Sequence, residues 1–175
     1  FEGAAHYLGH RDRLRARFLE GGQAALPDSA LLELVLFAAI PRRDVKPLAK
    51  QLLDKFGTFA EVISAPRERL AEFAGVGDAA IAQLKIVEAA AHRLSKTALK
   101  GKPALSSWQA LIDYCAAIMA RNNREEFRVL FLDRKNTLIE DEALGHGTVD
   151  PTPVYPREIV RRALELGSSA LILVH

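Results

Sequence analysis

The spacing of apolar residues divides the chain into a helical first part and a mixed second part. Up to residue 97 the apolar positions recur every three or four residues, as in helices that bury one face. Residues 31–37 are apolar on nearly every side, which predicts a helix at the centre of this domain. Glycines at 21, 22 and 57 predict helix ends, and Thr58 with Glu61 has the spacing of a capping box.

From residue 106 onwards the pattern indicates strands as well as helices. It predicts a helix over 107–120, a strand over 126–132, a second strand over 137–144, a helix over 156–167 and a third strand over 170–175. We therefore predict an α + α/β fold with two domains. Residues 1–97 form a helical domain, residues 98–105 a linker, and residues 106–175 an α/β domain.

The helical domain contains a possible internal repeat. A shift of 36 residues superimposes Leu34, Phe37, Ala38, Ile40, Val45 and Leu48 on Leu70, Phe73, Ala74, Val76, Ile81 and Leu84. Two packed helix-hairpin-helix units produce such a match, and so does chance, because apolar residues at helical spacing are common.

The composition is that of a globular protein and does not indicate which partner it binds. Apolar residues make up 49% of the 175 residues, and the formal net charge of +2 does not require a nucleic acid. Residues 1–100 hold a small basic excess of 15 Lys and Arg over 12 Asp and Glu. Cys115 is the only cysteine and favours a reducing cytoplasm. No stretch is apolar enough to span a membrane, so we expect no membrane partner, and the first residue, Phe1, is consistent with a trimmed start.

Gly75-Val76-Gly77 forms a short glycine-rich turn between two predicted helices. Glycine lets backbone amides approach a ligand, and the start of the next helix, at Asp78 or Ala79, favours a phosphate oxygen. Val76 is expected to anchor the turn in the core, and Lys85 adds a positive charge further along. The motif resembles the helix-hairpin-helix of proteins that bind DNA without sequence preference. A tight helical corner without a ligand is the alternative.

The corresponding corner of the first repeat has arginines where the second has glycines. Arg42 and Arg43 lie between the second and third predicted helices, and we expect them to contact DNA phosphates together with the glycine turn.

The third strand ends in His175, and acidic residues lie near the end of the second strand. A carboxylate and an imidazole on strands of one sheet suit a hydrolytic metal site. Glu140 and Glu142 share one face by the strand period, so the pattern alone does not choose between them. Asp141 and Glu140 are otherwise expected to lie at a solvated strand end.

Several segments together resemble the RadC family of bacterial proteins. They are residues 9–15, the glycine turn, and residues 128–133, 147–150, 154–160 and 170–175. RadC proteins are similar to JAMM (MPN) metalloproteases with a cytidine-deaminase-like fold. That motif has a Glu, a His-x-His pair, a Ser and an Asp. The resemblance implies a zinc ion held by the two His and the Asp, with the Glu as general acid/base.

By position in the motif, Glu142 matches the general acid/base and His175 matches the first zinc ligand. The second His, the Ser and the Asp have no counterpart before the sequence ends, so zinc is expected only with residues beyond His175. We expect Glu142, and not Glu140, to approach His175, with the two strand ends as neighbours in one sheet.

The resemblance implies a zinc-dependent hydrolase acting on a peptide or protein, with an accessory helical domain that binds DNA non-specifically. The alternative is a non-catalytic DNA-binding or protein-interaction module. A second His two residues after His175, followed by Ser-x-x-Asp, favours the enzyme. A stop codon there favours the module.

Overall fold

Within residues 3–22, 24, 26–104, 106–119, 126–146 and 154–175, which the computed structural model describes, the chain forms eight α-helices and three strands. The chain divides into two compact units, Phe1–Ala90 and Ala91–His175. None of the helices in the described ranges is long and apolar enough to cross a membrane.

The first unit is helical, as the spacing predicts. Its helices are α1 (Gly3–Gly21), α2 (Asp28–Ala39), α3 (Lys46–Phe56), α4 (Phe59–Ser64), α5 (Arg67–Ala71) and the first part of α6 (Asp78–Leu99). The predicted ends at glycine are confirmed. The φ of Gly22 is 70° and that of Gly57 is 103°, values that favour glycine.

Helix α2 is central to this unit, because α1, α3 and α4 all pack against it. Its fully buried leucines, Leu32 and Leu36, join one apolar core with Leu52 of α3 and Leu84 of α6. The predicted position of the apolar segment 31–37 is therefore confirmed.

The predicted repeat is only partly reflected in the two helix pairs. The apolar positions that the shift matches in α3 and α6, Leu48 and Leu84, are both buried. The first helices of the two pairs differ, since α2 has 12 residues and α5 has 5.

Polar caps fix the start of α4. Thr58 and Glu61 form the predicted capping box, in which Glu61 N donates to Thr58 Oγ1 at 3.2 Å and Thr58 N donates to Glu61 Oε2 at 2.9 Å. Phe59 N donates to the carboxylate of Asp28 at 2.9 Å. Asp28 therefore satisfies a backbone amide of α4, a contact between helices that local spacing does not reveal.

The second unit contains the end of α6, α7 (Trp108–Met119), β1 (Glu126–Leu132), β2 (Leu138–His146), α8 (Pro156–Leu166) and β3 (Ala170–Val174). Pro156 occupies the first turn of α8, and Gly167 ends that helix with a φ of 65°, as predicted. The strands form one sheet in the order β2-β1-β3, in which both pairings are antiparallel. The unit is therefore a mixture of helices with a small antiparallel sheet.

Strand β1 lies at the centre of the sheet and is buried on both faces. On one face, Leu130 and Leu132 pack with Tyr114 and other residues of α7. On the opposite face, Val129 and Phe131 pack with α8. The run of apolar residues in β1 follows from this central position.

The segment predicted as a linker is packed in the second unit. Leu99 and Ala104 belong to the core on the α7 side of the sheet, and Pro103 pairs with Thr137 in an isolated bridge. The division between the two units falls earlier, between Ala90 and Ala91 inside α6. The prediction of a linker rested on Gly101 and Pro103, because glycine and proline are common in loops. The neighbouring apolar residues, Leu99 and Ala104, are nevertheless buried.

Asp141 is buried in the second unit, and its placement at a solvated strand end is wrong. It is 3% exposed and accepts hydrogen bonds from Arg128 Nε at 3.0 Å, Arg128 Nη2 at 2.8 Å and the Tyr114 hydroxyl at 2.5 Å. Glu126 also pairs with Arg128. The acidic group is therefore neutralised inside the unit, as a buried charge requires.

The protonation states in this network follow from its geometry. Burial and the hydrogen bond to Asp141 raise the pKa of Tyr114, so its hydroxyl remains a donor. Burial opposes the charge of Arg128, but the bonds to Asp141 outweigh it and raise the pKa of the guanidinium. Burial also raises the pKa of the Cys115 thiol. The apolar helical segment around Cys115 predicts a small buried residue at this position, and the side chain is buried.

Asp141→Asn should lower the free energy of unfolding by about 3 kcal/mol, because it leaves the Arg128 guanidinium without its main buried partner. Urea unfolding followed by circular dichroism measures the change. Asp113→Asn makes the same chemical change at an exposed position and should stay within about 0.5 kcal/mol of the wild type. Equal effects of the two substitutions would contradict a role for the buried ion pair.

Candidate functional sites

The sheet assigns Glu142 and His175 to the same face. Val129 of β1 pairs with Glu142 on one side and with Leu173 on the other, and directly paired residues share a face. His175 follows Leu173 by two residues, so the strand period assigns it to that face as well. It lies just beyond the end of β3 and is exposed.

The two strands that carry these residues are not adjacent. The expectation that their ends are direct neighbours is wrong, because β1 lies between β2 and β3. Two strand spacings separate the backbones of Glu142 and Leu173 by about 10 Å. Glu142 and His175 are therefore not side by side in the sheet.

The carboxylate of Glu142 is held by Arg162 of α8. Arg162 Nε lies 2.9 and 3.0 Å from the two carboxylate oxygens, and Nη2 lies 2.6 Å from Oε1. The hydrogen bond to Glu142, and to a smaller extent the one to Glu165, raises the pKa of the Arg162 guanidinium, which therefore stays charged. The Arg162 contacts fix the orientation of the Glu142 carboxylate, and the side chain is 25% exposed, so it remains accessible to solvent.

Glu140 makes different contacts, which separate it from Glu142 although the strand period does not. Its carboxylate lies 2.5 Å from Nζ of Lys96 on α6 and 2.8 Å from Nζ of Lys100, which follows the end of that helix. Lys96 also donates to the carbonyl of Asp141 at 3.0 Å. Glu140 therefore joins the end of α6 to β2, whereas Glu142 faces α8.

The glycine turn has the backbone expected from the sequence. Gly75 has a φ of 93°, Val76 is 7% exposed in the core, and α6 begins at Asp78. The region around Gly77 is open, since a Cβ built there would meet nothing within 4 Å. The carboxylate of Asp78, which would repel an anion, is paired with Arg67 at 2.9 Å.

The structure brings Arg43 to this turn. A Cβ built on Gly75 would lie 2.7 Å from Arg43 Nη2 and 3.2 Å from Arg43 Cζ, so a side chain at this position would displace the guanidinium from where it lies. Arg42 and Arg43 are both exposed. Lys85 differs from them, because its ammonium bonds to the carbonyl of Ile63 and to Glu88, each at 3.0 Å. Two of the predicted phosphate contacts, Arg43 and Gly75, thus lie together.

Comparison with known proteins identifies the family. A model described as RadC-like JAB domain matches residues 105–175, and one described as UPF0758 N-terminal matches residues 6–82. A UPF0758 protein of Ruegeria pomeroyi is 61% identical over 166 residues, which cover 95% of this chain and 74% of that protein. The chain belongs to the RadC family. A UPF0758 protein of Rhodobacter capsulatus is 63% identical over 162 residues, covering 93% of this chain and 76% of that protein.

The RadC family resemblance inferred from the motifs is thus confirmed. No solved structure matches the chain significantly. The motif at 147–150 lies outside the described residues. JAB domains are generally associated with zinc, but within the described ranges no group of three or more His, Cys, Asp or Glu is placed to hold a metal ion.

The sequence pattern does not predict three features of the structure. They are the Arg162 pair with Glu142, the burial of Asp141 with Arg128, and the interior position of Arg11 on α1. For Arg128 the only signal was a charged residue inside an apolar strand. Ile40 lies 29 residues from Arg11, and Glu142 lies 20 residues from Arg162, so local spacing does not reveal either contact.

The pKa of Glu140 predicts an acid-dependent contribution to stability. Partial burial opposes its ionisation, but hydrogen bonds from Lys100 and Lys96 outweigh this and lower its pKa to about 2. The stabilisation is therefore complete above the ordinary carboxyl pKa and is lost as pH falls from about 4.5 through about 2.

Glu140→Gln should therefore lower the free energy of unfolding at pH 7 by about 1 kcal/mol, a value limited by partial exposure of the pair. The difference from the wild type should shrink as pH falls below 4.5. Urea unfolding at a series of pH values measures both. A difference that is the same at pH 7 and near pH 2 would show that the lysine contacts are not its origin.

Proposed function

We propose that this chain carries part of a metal-dependent hydrolase of the JAMM type, acting on peptide or isopeptide bonds. The observation that supports the proposal is the pairing that puts Glu142 and Leu173 on one face of one sheet, with His175 two residues after Leu173, inside the segment that matches the RadC-like JAB domain. A JAMM-like, cytidine-deaminase-like arrangement of the complete domain is part of the same proposal.

Glu142 has the properties of a group that moves protons. Hydrolysis of an amide removes a proton from water as its oxygen attacks the carbonyl carbon, and delivers a proton to the nitrogen as the carbon–nitrogen bond breaks. An ionised, partly exposed carboxylate serves as the acceptor, and its protonated form serves as the donor. Arg162 fixes the position of the carboxylate oxygens.

The residues of this chain do not by themselves fit a zinc ion. A catalytic zinc has three protein ligands, and His175 is the only predicted ligand that the chain supplies. Zinc in this family member therefore requires ligands other than those described, and the proposed role of Glu142 concerns the proton alone.

The test uses the polypeptide that the gene encodes, which comprises at least these 175 residues. Glu142→Gln should lower the rate of peptide or isopeptide cleavage by at least about a hundredfold, because the amide accepts no proton. Glu140→Gln is the matched control and should cleave at close to the wild-type rate. Fluorogenic peptides and ubiquitin-type isopeptides are suitable probes.

Metal analysis of the same proteins completes this test. Glu142→Gln should retain its zinc, since Glu142 is not a proposed ligand, whereas the 175-residue chain alone should hold far less than one zinc per molecule. An active Glu142→Gln protein would exclude Glu142 as the acid/base. Stoichiometric zinc in the 175-residue chain would mean that other residues form the site.

A second function, non-specific DNA binding by the helical unit, has separate support. The Arg43 guanidinium lies against Gly75, Arg42 is exposed beside it, and the space at Gly77 is open at the start of α6. Backbone amides and arginines are the groups that contact DNA phosphates. We propose that this turn acts as a helix-hairpin-helix. A protein-interaction module without catalysis or DNA binding is the alternative.

Gly77→Glu should weaken binding of the 175-residue protein to duplex DNA about tenfold, because it places a negative charge where a phosphate would lie. Gly77→Ala should weaken binding less, since its methyl group has room. The wild type should show a shallow log–log salt slope of about −2 to −4 and no preference between two unrelated duplexes. Fluorescence anisotropy measures the affinities.

Ser95→Glu adds the same charge at an exposed position on α6 and should leave the affinity within about twofold of wild type at 0.1 M salt. If Gly77→Glu binds as tightly as Ser95→Glu, or if binding strongly prefers one sequence, the glycine turn is only a corner of the fold.

A further inference from the structure

Arg11 of α1 holds both ends of the loop that carries the exposed arginines. We call residues 40–43, between α2 and α3, the arginine corner. Arg11 Nη2 donates to the carbonyl of Ile40 at 2.6 Å and to the carbonyl of Arg43 at 2.6 Å. These are the first and last residues of the corner, so one guanidinium nitrogen closes the loop.

The environment of Arg11 fits this role. The residue is 4% exposed, and its guanidinium carbon lies 4.5 Å from the centre of the Phe37 ring. Ile40 is the C-cap of α2, where helix carbonyls lack partners and carry partial negative charge. A buried cation is therefore stabilised by the end of α2.

The same bond places Arg43 relative to the glycine turn. Its main-chain carbonyl is held by Arg11, while its side-chain guanidinium lies against Gly75. The Arg43 guanidinium lies close over Gly75, and the Arg43 backbone is the fixed point from which the side chain reaches this contact. The buried arginine on α1 thus determines where an exposed arginine meets the turn.

We propose that Arg11 is the positioning residue of the DNA-contact surface formed by Arg43 and the glycine turn. This inference rests on the proposed DNA binding of the helical unit. Arg11 does not contact DNA. It holds the arginine corner so that Arg43 and the backbone at the start of α6 face one phosphate group.

A neighbouring ion pair supplies a control for general destabilisation. His10 Nε2 lies 2.8 Å from Glu33 Oε2, which joins α1 to α2 beside Arg11. The Glu33 side chain is only 6% exposed, so Glu33→Gln disturbs the same helix interface without touching the arginine corner. A loss of DNA binding that follows from looser packing alone would appear in this variant too.

The experiment is a double-mutant cycle on duplex DNA binding by the 175-residue protein, measured by anisotropy at two salt concentrations. Arg43→Gln should weaken binding about fivefold and reduce the salt slope by about 1. Arg11→Met should weaken binding to a similar extent, although it removes no group that touches DNA. The double variant should be no more than about twofold weaker than either single variant. Additive losses would overturn the proposal.

Arg11→Lys provides the rescue and remains informative if Arg11→Met does not fold. Its ammonium carries three donors, enough for both carbonyls, so binding should recover to within about twofold of the wild type. Glu33→Gln should bind as the wild type does. A Lys variant that is folded but binds as weakly as Arg43→Gln would contradict the positioning role.

The amide resonance of Gly75 in a proton–nitrogen correlation spectrum of the free protein reports whether Arg43 still lies against the glycine turn. It should shift in Arg43→Gln and in the Arg11 variant used, and remain unchanged in Glu33→Gln. An unchanged Gly75 resonance in the Arg11 variant overturns the positioning role. If the wild type fails to bind DNA while Gly75 shifts as expected, the proposed DNA function is excluded and only the structural coupling between Arg11 and Arg43 stands.

Discussion

The ion pair between Arg128 and Asp141 is the interaction on which the second unit depends. It joins the central strand to β2 inside the unit, where a slip of one residue between the two strands would place the two charges on opposite faces of the sheet. The pair therefore specifies the register as well as neutralising two buried groups. The position of Glu142 beside Val129, and with it the proposed proton-transfer site, follows from that register.

In the helical unit, packing between helices holds the exposed glycine turn and the arginine corner in place. The turn and the corner belong to separate helix pairs, and a side chain at Gly75 would displace the Arg43 guanidinium from where it lies. Rigid packing beneath an exposed surface is what gives such a surface a defined shape. In both units a largely inaccessible arginine, Arg128 in one and Arg11 in the other, joins the elements that carry the residues with a proposed function.

Local signals in the sequence predicted most of the elements because each depends on neighbouring residues. The capping box at Thr58, the start of α8 at Pro156 and its end at Gly167 are examples. The order of the strands was not predictable in this way, since the pairing of β1 with both β2 and β3 depends on long-range contacts. For the same reason the strand period left Glu140 and Glu142 equivalent, and only their partners, on α6 and α8, distinguish them.

The packed segment that follows α6 has a consequence for dissecting this protein. Leu99 contributes to the core of the second unit, and Lys96 bonds to the carbonyl of Asp141 and to the carboxylate of Glu140. A fragment that starts at the proline and glycine residues near position 100 would lack these groups and expose the apolar surface that they cover. An independently folding second fragment must begin upstream of Lys96, within a continuous helix and not in a loop.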